Sequence, residues 1–370
     1  EHANSTSLIC RRSDLPAPDL GVPDAGYRRF LGLCSHEYFH LWNVKRIRPA
    51  VFARADLSAE VHTELLWAFE GITSYYDELA LVRSGVIDAG AYLQMLAETV
   101  TRVLRNPGRQ RQSIAESSFD AWTKFYKQDE NAPNAIVSYY AKGACVAFGL
   151  DMVIRQRSND RYSLDDLMRR LWQRFGVADS GVPERAIERE LEDLVGCNFD
   201  DFFNAFIYGT TEPPWAEWFS AVGIGFHTRP PQSGEDLGSG GKPPAPCEAT
   251  ALPALGARYS ASPAGLTLSH VFHGGSAAQA GLSPGDCLVA IDDEQLNERN
   301  LAPLMQRAGE SSVVHYFRRG RLQSVRITFI AAASDTCDLW LRDEEAIGDD
   351  IASRRREWLA SRQLADHLPA

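Results

Sequence analysis

No two of the seven cysteines are close neighbours. Cys10, Cys34, Cys145, Cys197, Cys247, Cys287 and Cys337 are widely spaced and odd in number. That excludes a CxxC-type cysteine metal site and disfavours a disulfide framework. It fits free thiols in a reducing, cytoplasmic compartment, with a periplasmic location as the alternative. Basic charge is also short: 38 Lys and Arg stand against 49 Asp and Glu, for a net charge of -11. Scattered and outnumbered, the basic residues leave no footprint for nucleic acid. No apolar run approaches the roughly 20 residues that span a bilayer. β-rich runs are scarce across the first 220 residues, no internal repeat is present, and the chain opens on Glu1-His2 without a Met or a signal pattern.

What is there falls into two halves. With 370 residues, two or three domains are expected. After an irregular start, apolar residues at helical spacing predict helices over about 26–44, 58–83, 89–105, 139–156, 163–175, 183–195 and 198–208. Residues 106–134 read as a polar loop. Residues 228–253 are dense in Gly, Pro and Ser, a composition too poor in apolar surface to order itself, and read as a flexible linker. From Leu255 the period turns strand-like, with runs at 266–271, 287–291, 313–317 and 325–330 separated by turn signals such as Ser283-Pro284-Gly285-Asp286. A charged helix is predicted over 343–365. The fold class is therefore multidomain α+β: a mostly helical catalytic region (1–227), the linker (228–253), a small β-rich domain (254–335) and a helical tail (336–370).

The chemistry sits in His36-Glu37-Tyr38-Phe39-His40, an HExxH pattern on a predicted helix. Residues i and i+4 share a helical face, so both imidazoles can meet one metal ion. Glu37 lies beside the open position, placed to take a proton from the attacking water and hand it to the leaving amine. The bland alternative, a chance match on a solvated helix, fits poorly with the apolar flanks Phe30, Leu31, Phe39, Leu41 and Trp42. A catalytic zinc keeps three protein ligands, and His₂Glu is a standard set. Glu70 is the preferred third ligand, since it interrupts an apolar helical stretch where an unpaired carboxylate is costly. His62 is the competing candidate, and Ser74, one turn beyond Glu70, is a candidate to support a ligand.

HEYFHLWNVKRIRP followed by LLWAFEGITSYYDELALVRSG closely resembles the glycyl aminopeptidases, a family of gluzincin zinc metallopeptidases of thermolysin-like catalytic fold. The resemblance implies one Zn²⁺ held by His36, His40 and Glu70, with Glu37 as catalytic base. Ser138-Tyr139-Tyr140-Ala141-Lys142-Gly143 is similar to the Tyr-x-Lys-Gly segment of the wider aminopeptidase group, which implies that Tyr140 donates to the oxyanion; without the resemblance, both tyrosines would read as core. The opening Glu1-His2 resembles the end of a family Gly-Gly-Leu-Glu-His segment, so Glu1 is a candidate anchor for a substrate's α-amine. The run GSAAQAGLSPGD looks like a PDZ domain of the bacterial protease-associated type, although Leu255-Gly256-Ala257-Arg258 departs from the usual Gly-Leu-Gly-Phe loop.

The implied activity is removal of small N-terminal residues, Gly or Ala, from peptides. The alternatives are a zinc endopeptidase whose PDZ domain captures substrate, and a PDZ scaffold with a degenerate peptidase domain. The expected partners are peptide substrates and a peptide or protein ligand of the PDZ domain. The resemblance also implies a β-rich region upstream, so that residues 1–370 alone are expected to bind zinc but to be poorly active.

Overall fold

The structure, a computed structural model, describes residues 2–16, 23–56, 58–243, 251–309 and 311–360. Glu1, the candidate amine anchor, lies outside them. The helical half is built around α2 (Ile72–Arg83), α3 (Ala89–Leu104) and α6 (Ala141–Arg157), whose apolar residues form the larger core. Helix α1 (Ala25–Phe39) lies against α2, where the rings of Phe39 and Tyr76 stack at 5.0 Å. Asp24 caps α1 by accepting from the Tyr27 amide. The predicted helix over 58–83 is helical only from the Trp67–Gly71 segment, a single π-helical turn that leads into α2.

Residues 106–134 are not the polar loop expected from composition. They form α4 (Ile114–Phe119), a π turn over Ala121–Phe125 and α5 (Ala132–Ala135). Ser113 and Glu116 close a capping box at the start of α4, and Ile114 and Ala115 are buried. Short elements with local caps carry too few periodic apolar positions to stand out in a sequence. Beyond α6, α7 (Leu164–Leu171), α8 (Ala186–Val195), α9 (Asp200–Phe202) and α10 (Trp215–Ser220) complete the helical layer.

The segment read as a linker is ordered over much of its length. β1 (Ile224–Arg229) and β2 (Ser239–Gly240) flank β9 (Thr336–Leu341) in a three-stranded sheet, antiparallel to β1 and parallel to β2. Composition misleads here because the order comes from docking on α3 and from ion pairs. The Gly240 amide donates to Gln94 and the Gln94 amide donates back to Gly238 O. Gly240 presses so closely on α3 that a Cβ would meet the Gln94 backbone. Arg229 pairs with both Asp236 and Asp338.

Between β2 and β9 the chain builds a second unit with its own core. Its sheet runs in the order β3 (Ala257–Ser262), β4 (Gly265–Val271), β5 (Cys287–Ile291), β7 (Ser312–Arg318), β8 (Arg321–Ile327), with β6 (Glu294–Gln295) on β5. Helices α11 (Ser276–Gln279) and α12 (Leu301–Arg307) cover it. The segment read as a helical tail begins instead with β9, which returns to the first unit. Helices α13 (Glu344–Ile347) and α14 (Asp349–Leu359) follow. Trp358 of α14, 0% exposed, is seated against Tyr92 and Phe148 and donates to the Tyr75 hydroxyl.

Candidate metal centre

Helix α1 delivers His36 in its last turn and His40 at its C-cap, and the π turn before α2 delivers Glu70. Both histidines aim Nε2 at the same Glu70 oxygen, at 3.2 Å from His36 and 3.3 Å from His40. Their rings meet edge to face with centroids 4.6 Å apart. All three ligand atoms lie within 4.8 Å of one another. Among the described residues this is the one such group of three.

Each imidazole is oriented from its far side. His36 Nδ1 lies 3.0 Å from Asp77 Oδ2, and His40 Nδ1 lies 2.9 Å from Asn43 O. Asn43 in turn donates to Ala68 O and to the Thr73 hydroxyl, tying the end of α1 to the turn that carries Glu70. With Nδ1 donating outward, Nε2 of each ring is left as the acceptor that a metal needs.

The electrostatics suit a cation. Burial works against a charged His36 ring, but Asp77 and Glu70 outweigh it and push its pKa up to about 10, so positive charge at Nε2 is favoured, whether a proton or a metal ion that displaces it. Burial also works against charge on Glu70, yet bonds from His36 and His40 hold its carboxyl below the usual range. Two imidazole nitrogens and one ionised carboxylate, converging in a half-buried cleft, fit a small divalent ion with an open coordination position.

Glu37 sits one residue along α1 from His36. Tyr140 immediately precedes α6, with its ring centroid 6.4 Å from that of His36. A close backbone crossing brings it there: a Cβ on Gly71 would lie 2.7 Å from the Gly143 backbone. No side chain fits between the Glu70 turn and α6. Burial, with Glu70 next, holds the Tyr140 hydroxyl well above its usual pKa, so it remains a proton donor. Lys142 donates to Arg109 O, its pKa lowered by burial to about 8.

The structure separates His62 from the cluster; its Nδ1 lies 2.8 Å from Phe119 O. Ser74 makes no side-chain hydrogen bond to a ligand among the described residues. Asp77, two turns beyond Glu70, takes that place by meeting His36 Nδ1. Sequence reasoning missed Asp77, Asn43 and Tyr126, whose hydroxyl lies 3.1 Å from that of Tyr140. The i+7 offset of Asp77 from Glu70 is a signal only once the crossing of α1 and α2 is known.

Residues 29–146 match the family model described as M61 glycyl aminopeptidase. The crystal structure of an aminopeptidase N family protein from Idiomarina loihiensis is 38% identical, with a TM-score of 0.87, and the match covers 97% of this chain and 60% of that one. The HtrA-type protease AlgW, with decapeptide and with tripeptide, is 21% and 22% identical over 25% and 26% of this chain and 30% and 33% of those chains, both with TM-scores of 0.20. That likeness is too slight to carry an argument. No curated protein matches. The family match and the solved relative liken this chain to the peptidases. Among them, the chain is similar to the M61 glycyl aminopeptidase family, and it spans 60% of the length of the solved Idiomarina relative. No helix among the described residues is long and apolar enough to cross a membrane.

Proposed function

We propose that this protein is a zinc-dependent aminopeptidase that removes small N-terminal residues, Gly or Ala, from peptides. The observation that carries the reading is the convergence of His36, His40 and Glu70 on one point, with both histidines oriented from behind. His36, His40 and Glu70 are the residues that would hold one zinc ion. Zinc there supplies a Lewis acid that acidifies water and polarises the scissile carbonyl.

The chain's own groups do the rest. Glu37 accepts a proton from the attacking water and passes it to the departing amine. Tyr140 donates its O–H to the oxygen on which negative charge develops, an interaction that strengthens toward the transition state and so falls on turnover. Residues 254–335 act as a PDZ-type module for an extended peptide, which adds as a strand beside edge strand β3.

The test uses the full-length protein and an alanyl or glycyl p-nitroanilide. Turnover of the free amine and not of its N-acetylated form is expected. The reverse preference would make the protein an endopeptidase, and no turnover would favour a scaffold. Glu37→Gln is expected to retain about one zinc per chain and lose most activity; near-normal turnover would remove Glu37 from the mechanism. Glu70→Ala is expected to bind zinc more weakly, and full occupancy in that variant would discard Glu70 as a ligand.

A further inference from the structure

Two further tyrosine hydroxyls meet that of the candidate oxyanion donor, Tyr140. Tyr139 and Tyr140 come from the segment that enters α6, and Tyr126 from the end of the Ala121–Phe125 π turn. The Tyr139 hydroxyl donates to that of Tyr126 at 3.3 Å, and the Tyr126 and Tyr140 hydroxyls are 3.1 Å apart. Phe125 packs against all three rings, with centroid distances of 4.8 Å to Tyr139, 5.8 Å to Tyr140 and 5.5 Å to Tyr126. Tyr139 is buried while Tyr126, the middle member, is 63% exposed, so the chain reaches the rim of the cleft at Tyr126 and turns back to Tyr140.

A hydroxyl has one proton to give and two lone pairs with which to accept. Tyr126 already accepts from Tyr139. If it gives its single proton to Tyr140, the Tyr140 proton is free to point elsewhere. The Tyr140 ring borders that of His36, with centroids 6.4 Å apart, so the proton that Tyr126 leaves free can be turned toward the metal cluster. Without Tyr126, the same proton can turn back toward solvent. Chains of this kind also polarise one another, which makes the last O–H a better donor.

We infer that Tyr126 is a positioning residue for Tyr140: the chain Tyr139, Tyr126, Tyr140 fixes the direction of the Tyr140 O–H toward the developing oxyanion. The inference rests on the aminopeptidase reading above. It assigns a role in turnover to a residue that lies outside the HExxH helix, the Glu70 turn and the Tyr-x-Lys-Gly segment.

The experiment is a double-mutant cycle on the full-length protein, with kcat, KM and zinc content measured for each variant. Tyr126→Phe is expected to lower kcat roughly tenfold, less than loss of a direct oxyanion donor, with KM within about twofold. In a Tyr140→Phe background, Tyr126→Phe is expected to cost nothing further, because the hydroxyl it orients is gone. Tyr139→Phe is expected to give a smaller loss than Tyr126→Phe. An unchanged kcat in Tyr126→Phe overturns the inference, as does an equal loss in both backgrounds or a parallel fall in zinc content. If the parent turns over and Tyr140→Phe leaves kcat intact, the inference fails while the aminopeptidase reading stands. If the parent shows no turnover, the reading beneath falls and takes the inference with it.

Discussion

Asp77 lies two turns beyond Glu70 and on the same helical face, so one stretch of chain reaches His36 from both sides. Glu70 meets Nε2 and Asp77 meets Nδ1. A carboxylate behind a metal-binding imidazole fixes its tautomer and raises its basicity. Asp77→Asn keeps the shape but removes the charge, and is expected to weaken zinc binding about 10–100-fold. Competition with a chromophoric chelator measures this, and an unchanged affinity would reduce Asp77 to a packing role. The three cluster residues were legible because HExxH spacing and a carboxylate inside an apolar run are both local signals. Asp77 was not, because its meaning depends on how α1 crosses α2. Asn43 was harder still, since it acts on His40 through its backbone oxygen, which no residue type reveals.

At the scale of elements, periodicity located the long helices well. The 89–105 helix is α3 within a residue, and α6 begins two residues later than its pattern suggested. Periodicity failed where segments are short, as at α4 and α5, and where order is borrowed from a neighbour, as in β1 and β2. The borrowed order makes the β1–β2 connection sensitive to acid. Burial opposes charge on Asp236, but Arg229 and the Gln232 and Gly238 amides outweigh it and hold its carboxyl at about 2. Because that value lies below the one in the unfolded chain, near 4, the stabilisation is complete above pH ~4 and is lost as pH falls toward 2. The melting-temperature gap between the parent and Asp236→Asn is therefore expected to be constant from pH 7 to about 5 and to narrow below about 4. A gap independent of pH down to 3 would mean that Asp236 acts through its shape and not its charge.

At the scale of the molecule, the second unit is inserted into the first and not appended to it. The chain leaves through Leu252–Ala254 and returns through Ile330–Ala332, and these segments pair side by side: Ala254 donates to Ile330 O and Ala332 donates to Leu252 O. Asn134 of α5 clamps the two units with both ends of its side-chain amide, donating to Val271 O and accepting from the His273 amide. The sequence pattern placed a boundary near residue 228 because the composition turns rich in Gly, Pro and Ser there. It could not show that β9 and α14 belong with the helical half, since a strand at 336–341 and a charged helix after it look the same whether they dock or trail. From the boundary at 228, a protein cut back to residues 1–227 is expected to keep the candidate zinc site. From the structure, it is expected to fail. The cut removes β9, where Cys337 and Leu339 are fully buried, and Trp358, whose loss alone costs about 3–5 kcal/mol by analogy with large core truncations. Because the two connecting segments are paired, residues 254–330 can instead be excised and the ends joined by a few Gly and Ser residues. That internal deletion is expected to fold cooperatively and bind zinc as the parent does, while the 228–370 deletion precipitates or melts without a transition. Calorimetry with metal analysis on both decides between the two boundaries. Retained zinc in the 228–370 deletion, together with loss of zinc in the 254–330 excision, would restore the boundary drawn at the change of composition.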